Sequence, residues 1–179
     1  MIVLRHCQSE FNRLFTATRK DPGIPDPPLS DMGQEQARKL VAEIGGEEIR
    51  HIIVSPYKRA IQTAMPIAKA LDIVPVVSPL IRERAAFSCD VGSPRAVLAQ
   101  EWPALDFSGL DEAWWSPVIE TPESVEERAE LFRSEIAVSH DWERTLVVSH
   151  WAFLLAFTRT SLENGSWLRI DPTRPPERP

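Results

Sequence analysis

Cysteine is scarce. Cys7 and Cys89 are the only two in 179 residues, too few for a disulfide framework, and they fit a reducing, cytoplasmic setting. Positive charge is also short: 20 Lys and Arg stand against 26 Asp and Glu, for a net charge of −6. Broad contact with nucleic acid or an anionic membrane normally needs a basic face, so neither partner is expected. Any anion site is instead a local cationic pocket in an acidic protein. Long apolar runs are missing, since the longest, Trp151 to Phe157, is far too short to cross a bilayer. Met1 leads straight into an apolar run, so no secretory leader is expected. Paired Cys-x-x-Cys, His-Glu-x-x-His and Gly-x-x-x-x-Gly-Lys patterns are absent, so no metal and no cofactor are expected. No internal repeat and no linker divides the chain, which predicts one domain over 1–179.

What is present is ordinary in bulk: 43% apolar and 26% charged residues, enough for a substantial core. The informative stretch is Ile2-Val3-Leu4-Arg5-His6-Cys7-Gln8-Ser9-Glu10-Phe11-Asn12-Arg13. Its apolar start reads as a buried strand that exits into charge, and ligands of α/β sheets bind outside the carboxyl ends of strands. Arg5 can grip an anion with parallel hydrogen bonds, and either His6 or Cys7 could attack it.

Further along, 11–28 reads as a long functional loop. Ser30 caps a helix whose Ala37, Leu40, Val41 and Ile44 form one buried face, ending at Gly45-Gly46. The run 51–56 predicts a second strand, followed by a helix with Arg59 near its start and Pro66 within it. A third strand is predicted over 74–77, leading into Leu80-Ile81-Arg82-Glu83-Arg84. Periodicity weakens over 85–120, which predicts a lid or subdomain, with Ser93-Pro94 starting a helix toward Trp102. Trp102, Trp114 and Trp115 are expected to pack that segment; the sharper alternative puts them in a substrate pocket. Thr121-Pro122-Glu123 starts an amphipathic helix carrying Val125, Ala129, Phe132 and Ile136. A fourth strand over 145–150 ends on His150, a buried helix follows over 151–157, and 166–170 adds an edge strand. The tail from Asp171, with four prolines, is expected to be loose.

Strands alternating with helices indicate an α/β sheet with a large parallel component. Its exits bring together Arg5, His6, Ser55, Arg59, Glu83 and His150. Each signal is weak alone, because a histidine after a strand is usually structural and an acid between arginines is often a surface ion pair. Their shared position suits a doubly charged phosphate, where catalysis is mainly positioning and electrostatic stabilisation. Helices starting after Ser55 and His150 are expected to aim backbone N–H groups at the same anion. A neutral histidine can serve as nucleophile, and Glu83 is the acid placed to protonate the leaving alkoxide.

At this point the chain resembles the histidine phosphatase superfamily, in the branch that includes cofactor-dependent phosphoglycerate mutases. The family's Arg-His-Gly-x-Ser-x-x-Asn matches Arg5 through Asn12 except at the glycine, and its Pro-Leu-Ser/Thr-x-x-Gly-x-x-Gln-Ala matches Pro28 through Ala37. Its Ser-Pro-x-x-Arg-Ala-x-x-Thr-Ala matches Ser55 through Ala64, and Val147-Val148-Ser149-His150 resembles its second histidine motif. The resemblance implies a three-layer α/β/α fold with a mostly parallel central sheet. It also implies that His6 is the phosphorylated nucleophile and Glu83 the proton donor. By the same resemblance Arg5, Arg59 and His150, with Asn12 of the opening motif, hold the phosphoryl group. The expected substrate is a phosphorylated small molecule or phosphopeptide. Family mutases are generally longer, so 179 residues favour hydrolysis over mutase-type transfer.

Cys7 and Trp151 replace glycines usual in the family, and large side chains there are expected to narrow the pocket or alter activity. With Arg84 and the segment 84–93, they are the candidate specificity determinants. Cys7 also opens a rival: His6 through Arg13 fits the His-Cys-x5-Arg outline of cysteine-dependent tyrosine phosphatases. That loop needs amide groups aimed at phosphate, yet it has no glycine and contains Glu10. A phosphate-binding relic without catalysis is the non-enzyme alternative.

Overall fold

Five short strands form one sheet in a computed structural model that describes residues 1–174. The strands are β1 (Ile2–Arg5), β2 (His51–Val54), β3 (Val76–Val77), β4 (Thr145–Ser149) and β5 (Trp167–Arg169), in the order β3-β2-β4-β1-β5. The first four are mutually parallel, and β5 closes the β1 edge antiparallel. Between them run α1 (Glu10–Thr18), α2 (Asp31–Ile44), α3 (Lys58–Leu71), α4 (Arg95–Glu101), α5 (Pro122–Ala137) and α6 (Trp151–Thr158).

Side chains alternate across a strand, and each face here has its own core. Ile2, Leu4, Ile52, Val54, Leu146 and Val148 meet Ala37, Leu40, Ile61 and Ala64 of α2 and α3 on one face. Met1, Val3 and Val147 meet Phe132 and Ile136 of α5 and Phe153 and Phe157 of α6 on the other. Burial on both faces explains why the inner strands read as continuous apolar runs. The result is three layers, helix on sheet on helix. Leu98, Leu105, Phe107, Leu110 and Trp114 join the same buried cluster as α2 and α3, so 98–114 contributes to this core.

Several expectations are corrected. The loop predicted over 11–28 begins instead with α1. Ser9 Oγ accepts from the Asn12 N–H while Asn12 Oδ1 accepts from the Ser9 N–H, a reciprocal cap. Phe11 and Phe15 stack one turn apart, with centroids 5.3 Å apart, and the prolines that signal a loop begin only at Pro22. Ser93 does not cap α4: its N–H donates to Asp26 and its carbonyl accepts from Trp114 Nε1, while Pro94 takes the cap position with no side-chain bond. The third strand pairs only at Val76–Val77. Pro66 lies inside α3, which runs on to Leu71. The expected tail is tied down at its start, since Asp171 accepts from Thr173 and the Pro172 carbonyl accepts from Arg133; positions 175–179 of it lie outside the described residues. Among the described residues, no helix is long and apolar enough to cross a membrane.

Candidate active site

The carboxyl ends of β1, β2 and β4 deliver Arg5–His6, Ser55 and His150 to one edge of the sheet. Register does this: Arg5 is opposite Ser149 and Val54 opposite Val148, and the His6 N–H donates to the Ser149 carbonyl at 2.9 Å. The turn after β1 is then braced from three directions. Cys7 N–H donates to Thr63 Oγ1 at 3.0 Å, Gln8 N–H to Gln36 Oε1 at 2.9 Å, and Ser30 N–H to the Gln8 carbonyl at 3.0 Å. Gly33 permits this approach, because a Cβ there would lie 1.9 Å from the Gln8 carbonyl oxygen. Ser30, Gly33 and Gln36 of the α2 motif and Thr63 of the α3 motif therefore position the His6 turn, while Arg59 of α3 reaches the cleft itself.

His6 is buried, and its Nδ1 lies 2.7 Å from the carbonyl of Cys7. A carbonyl only accepts, so Nδ1 carries the proton and Nε2 presents a lone pair. Burial, with Arg59 and Arg5 nearby, holds the imidazole well below its usual pKa, hence neutral near pH 7. The His150 ring centroid lies 5.0 Å from that of His6. Its Nε2 is 2.7 Å from Ser55 Oγ, and its Nδ1 is buried without a partner among the described residues. With the Ser55 hydroxyl donating to Nε2, Nδ1–H is an uncommitted donor. Burial, reinforced by Arg59 and His6, keeps this ring neutral as well.

Arg59 is fixed from behind. It donates to the Cys89 carbonyl at 2.7 Å and to Asp90 Oδ1 at 3.3 Å, and its guanidinium carbon stands 4.3 Å over the Tyr57 ring. Asp90 in turn accepts from the Ala86 and Phe87 N–H groups, so one buried carboxylate holds both a cation and a turn. Arg5 donates to the Leu162 carbonyl at 2.8 Å, and its Nε is buried without a partner among the described residues.

Glu83 accepts from the Arg84 N–H at 2.9 Å and from the Ala152 N–H at 3.0 Å. Burial first, then Asp90, raises its pKa; the Arg84 N–H and the two arginines oppose that rise without cancelling it. The expectation that the helix after His150 aims its N–H groups at the anion is thereby corrected: the Ala152 N–H at its start is taken by Glu83. At α3, the Lys58 N–H donates to Asp26, not into the cleft.

Arg5, His6, Asn12, Arg59, Glu83 and Arg84 line one cleft of about 470 Å³, within the range of small-molecule sites. Asn12 Oδ1 is engaged by Ser9 and Asn164. Arg84 donates from Nε to the Glu120 carbonyl at 2.8 Å. Trp151 stands on the cleft rim, 43% exposed, with Nε1 donating to Ser161 Oγ at 3.0 Å, so it does not fill the pocket. His150 is fully buried, with its ring against that of His6.

Cys7 requires correction as a pocket residue. It is fully buried in the α2–α3 core and faces Gly165, away from the cleft. Burial pushes its thiol up to about 11, and the stretch to Arg13 forms the capped start of α1, not a loop of converging amides. Both facts oppose a thiolate nucleophile. Nor does any of the three tryptophans line the cleft: Trp114 packs edge-on against Tyr57 at 4.6 Å behind the site, Trp115 against Trp114, and Trp102 in a hollow between α2 and α3. Among the described residues, no group of three or more His, Cys, Asp or Glu is placed to hold a metal ion.

Sequence reasoning missed Asp90 as the anchor of Arg59, Asn164 as the donor to the His6 carbonyl at 3.0 Å, and Phe11 and Phe15 as cleft residues; Phe87 lies in the segment 84–93, named as a candidate specificity determinant without its aromatic ring being singled out. Only the spacing of Phe11 and Phe15 left a trace in the sequence.

Comparison with known proteins agrees with this geometry. Residues 1–173 match the family model of the histidine phosphatase superfamily (branch 1). Phosphoserine phosphatase 1 of Hydrogenobacter thermophilus is 30% identical over 159 residues, 83% of this chain and 68% of that protein. A probable phosphoglycerate mutase of Photorhabdus laumondii is 37% identical over 81 residues, but the match covers 45% of this chain and only 36% of the relative. Among solved structures, a mycobacterial glucosyl-3-phosphoglycerate phosphatase in complex with VO3 superposes with a TM-score of 0.65 at 21% identity, covering 93% of this chain and 90% of that one. A phosphoserine phosphatase of Entamoeba histolytica in complex with phosphoserine gives 0.63 at 20% identity, covering 93% and 87%.

Proposed function

The chain belongs to branch 1 of the histidine phosphatase superfamily, and from that membership we propose that it hydrolyses phosphomonoesters through a phosphohistidine on His6. The observation that carries this reading is the His6 tautomer. Nδ1–H is spent on the Cys7 carbonyl at 2.7 Å, leaving Nε2 as a neutral nucleophile in a cleft shared with Arg5, Arg59 and Glu83.

In the first step the Nε2 lone pair bonds to phosphorus as the phosphorus–oxygen bond to the alcohol breaks. Glu83 gives its proton to the departing oxygen, so the alcohol leaves neutral. In the second step Glu83, now a carboxylate, takes a proton from water as that water attacks phosphorus. The nitrogen–phosphorus bond breaks, inorganic phosphate leaves, and His6 and Glu83 regain their starting states. Charge on the equatorial oxygens is met by Arg5, Arg59 and His150 Nδ1–H; Arg5 Nε and His150 Nδ1 are buried without a hydrogen-bond partner among the described residues. Asn12 borders the same oxygens. Arg5 and Arg59 supply the positive charge themselves, so turnover is expected to persist in EDTA. Phe87 and Trp151, 47% and 43% exposed at the cleft, leave it open to water, which favours hydrolysis over transfer between metabolites.

The test is acid-quenched single turnover with a labelled phosphomonoester. Acid-labile label on the wild-type chain, absent from His6→Ala together with its turnover, is the expected result. Full turnover by His6→Ala would overturn the assignment.

A further inference from the structure

Beyond the phosphate end, the cleft has a wall that the phosphoryl chemistry does not use. Phe11, Phe15 and Phe87 form a three-ring cluster with centroids 5.3, 5.4 and 5.7 Å apart, and all three line the cleft. Phe11 is buried beneath the other two, Phe15 is partly buried, and Phe87 is 47% exposed. A partly uncovered aromatic surface in a concavity gains free energy when an apolar ligand covers it. Its placement relates it to the leaving group. The departing oxygen must lie at Glu83, and Phe87 follows that acid by four residues on a turn pinned to Asp90 by the Phe87 N–H at 3.0 Å. Trp151, adjoining the Ala152 N–H that holds Glu83, adds a second exposed ring at the same cleft.

We propose that this aromatic wall selects phosphomonoesters whose alcohol carries a flat or bulky apolar group close to the bridging oxygen. The inference rests on the phosphatase reading for the location of the leaving group, but its content is a binding preference that can be measured without turnover. Charged groups at the cleft do not dictate a second anion. Arg84 is tethered to the Glu120 carbonyl, and the lining carries the acidic Glu163 as well as the basic Arg19.

The experiment measures binding of three non-hydrolysable phosphonates by calorimetry: ethylphosphonate, benzylphosphonate and 3-phosphonopropionate. Wild-type protein and Phe87→Ala are compared, and hydrolysis of benzyl phosphate is followed in parallel. The wild type is expected to bind benzylphosphonate about tenfold more tightly than ethylphosphonate. Phe87→Ala should weaken benzylphosphonate about three- to tenfold, the scale of one aromatic contact, and leave ethylphosphonate unchanged. Phe87 is exposed, so its truncation spares the core, and the wild-type comparison stands without any variant. Equal affinities for ethyl- and benzylphosphonate, or tightest binding of 3-phosphonopropionate, overturn the proposal. A benzyl preference in binding without hydrolysis of benzyl phosphate would support the wall and refute the phosphatase reading; hydrolysis without the preference does the reverse.

Discussion

The backbone N–H of Ala152 donates to the carboxyl group of Glu83 at 3.0 Å, so the start of the helix that follows His150 holds the acid. A helix N-terminus stabilises negative charge, yet burial and Asp90 together leave the Glu83 pKa raised. The contact therefore orients the carboxyl group while the low-dielectric surroundings keep it a usable proton donor.

Glu83→Gln follows from this. The amide retains the shape but cannot donate a proton to an alkoxide, so kcat for an alkyl phosphate is expected to fall by about 10²- to 10⁴-fold. With p-nitrophenyl phosphate, whose leaving group needs no proton, the loss in the first step should be far smaller. Hydrolysis of the phosphohistidine, common to both esters, should slow equally; equal losses in the first step itself, measured by single turnover, would assign Glu83 a purely structural role there.

The two shifts of opposite sign also set a pH profile. His6 must be neutral to attack, and its pKa lies well below the ordinary 6.5 because burial and two arginines disfavour the cation. Glu83 must be protonated to donate, and its pKa lies above the ordinary 4.5. For an alkyl ester, kcat/KM should be limited on the alkaline side by deprotonation of Glu83 and on the acid side by protonation of His6, giving an acidic optimum. In Glu83→Gln the alkaline limb should flatten. Its persistence unchanged in that variant would mean that another group titrates there.

Cys7 is predicted to be chemically silent. Its thiol is fully buried, with a pKa pushed up to about 11, and it packs in the core beside Gly165. Cys7→Ser should keep turnover within about twofold, because the attacking atom lies on His6, while an added hydroxyl in an apolar core costs about 1–3 kcal/mol of stability. Thermal denaturation and p-nitrophenyl phosphate hydrolysis, measured together, separate the two effects. Loss of turnover in a variant that still melts cooperatively near the wild-type temperature would restore the thiol as nucleophile.

The strand exits were legible because they combine two local signals, an apolar run and an abrupt change to charged residues, and parallel pairing then aligns them without further information. Arg5, His6 and His150 reach the site by that route, while Arg59 follows on the first turn of α3 and Glu83 on the segment after β3. Asp90 was not legible. Its role depends on 31 residues of chain returning beside Arg59, and no periodicity or motif encodes that closure. The α1 helix was hidden for a different reason: prolines at positions 22 to 28 dominated the reading of the whole segment, while the reciprocal Ser9–Asn12 cap uses Asn where the more familiar pattern has Glu or Gln. Trp151 shows that residue size alone misleads, since the side chain leaves along the rim.

Gly33 supplies a test of the bracing that links motif to catalysis. It sits three residues after the Ser30 cap of α2, with its Cα hydrogen face turned to the Gln8 backbone. A methyl group there would stand 1.9 Å from the Gln8 carbonyl oxygen and 2.9 Å from its carbon, and neither atom belongs to a side chain that can swing away. Either α2 retreats, losing the Ser30 N–H bond to Gln8 at 3.0 Å, or the turn carrying His6 shifts. Overpacking of this kind costs about 1–3 kcal/mol, so Gly33→Ala should lower the melting temperature. Displacement of His6 by even a fraction of an ångström from its line of attack should also reduce kcat, on the order of tenfold to a hundredfold, with KM changed less. Gly46→Ala is the matched control, because nothing lies within 4 Å of the Cβ it would introduce. Wild-type turnover in Gly33→Ala would show that the α2 brace is dispensable and that the first turn after β1 holds His6 unaided.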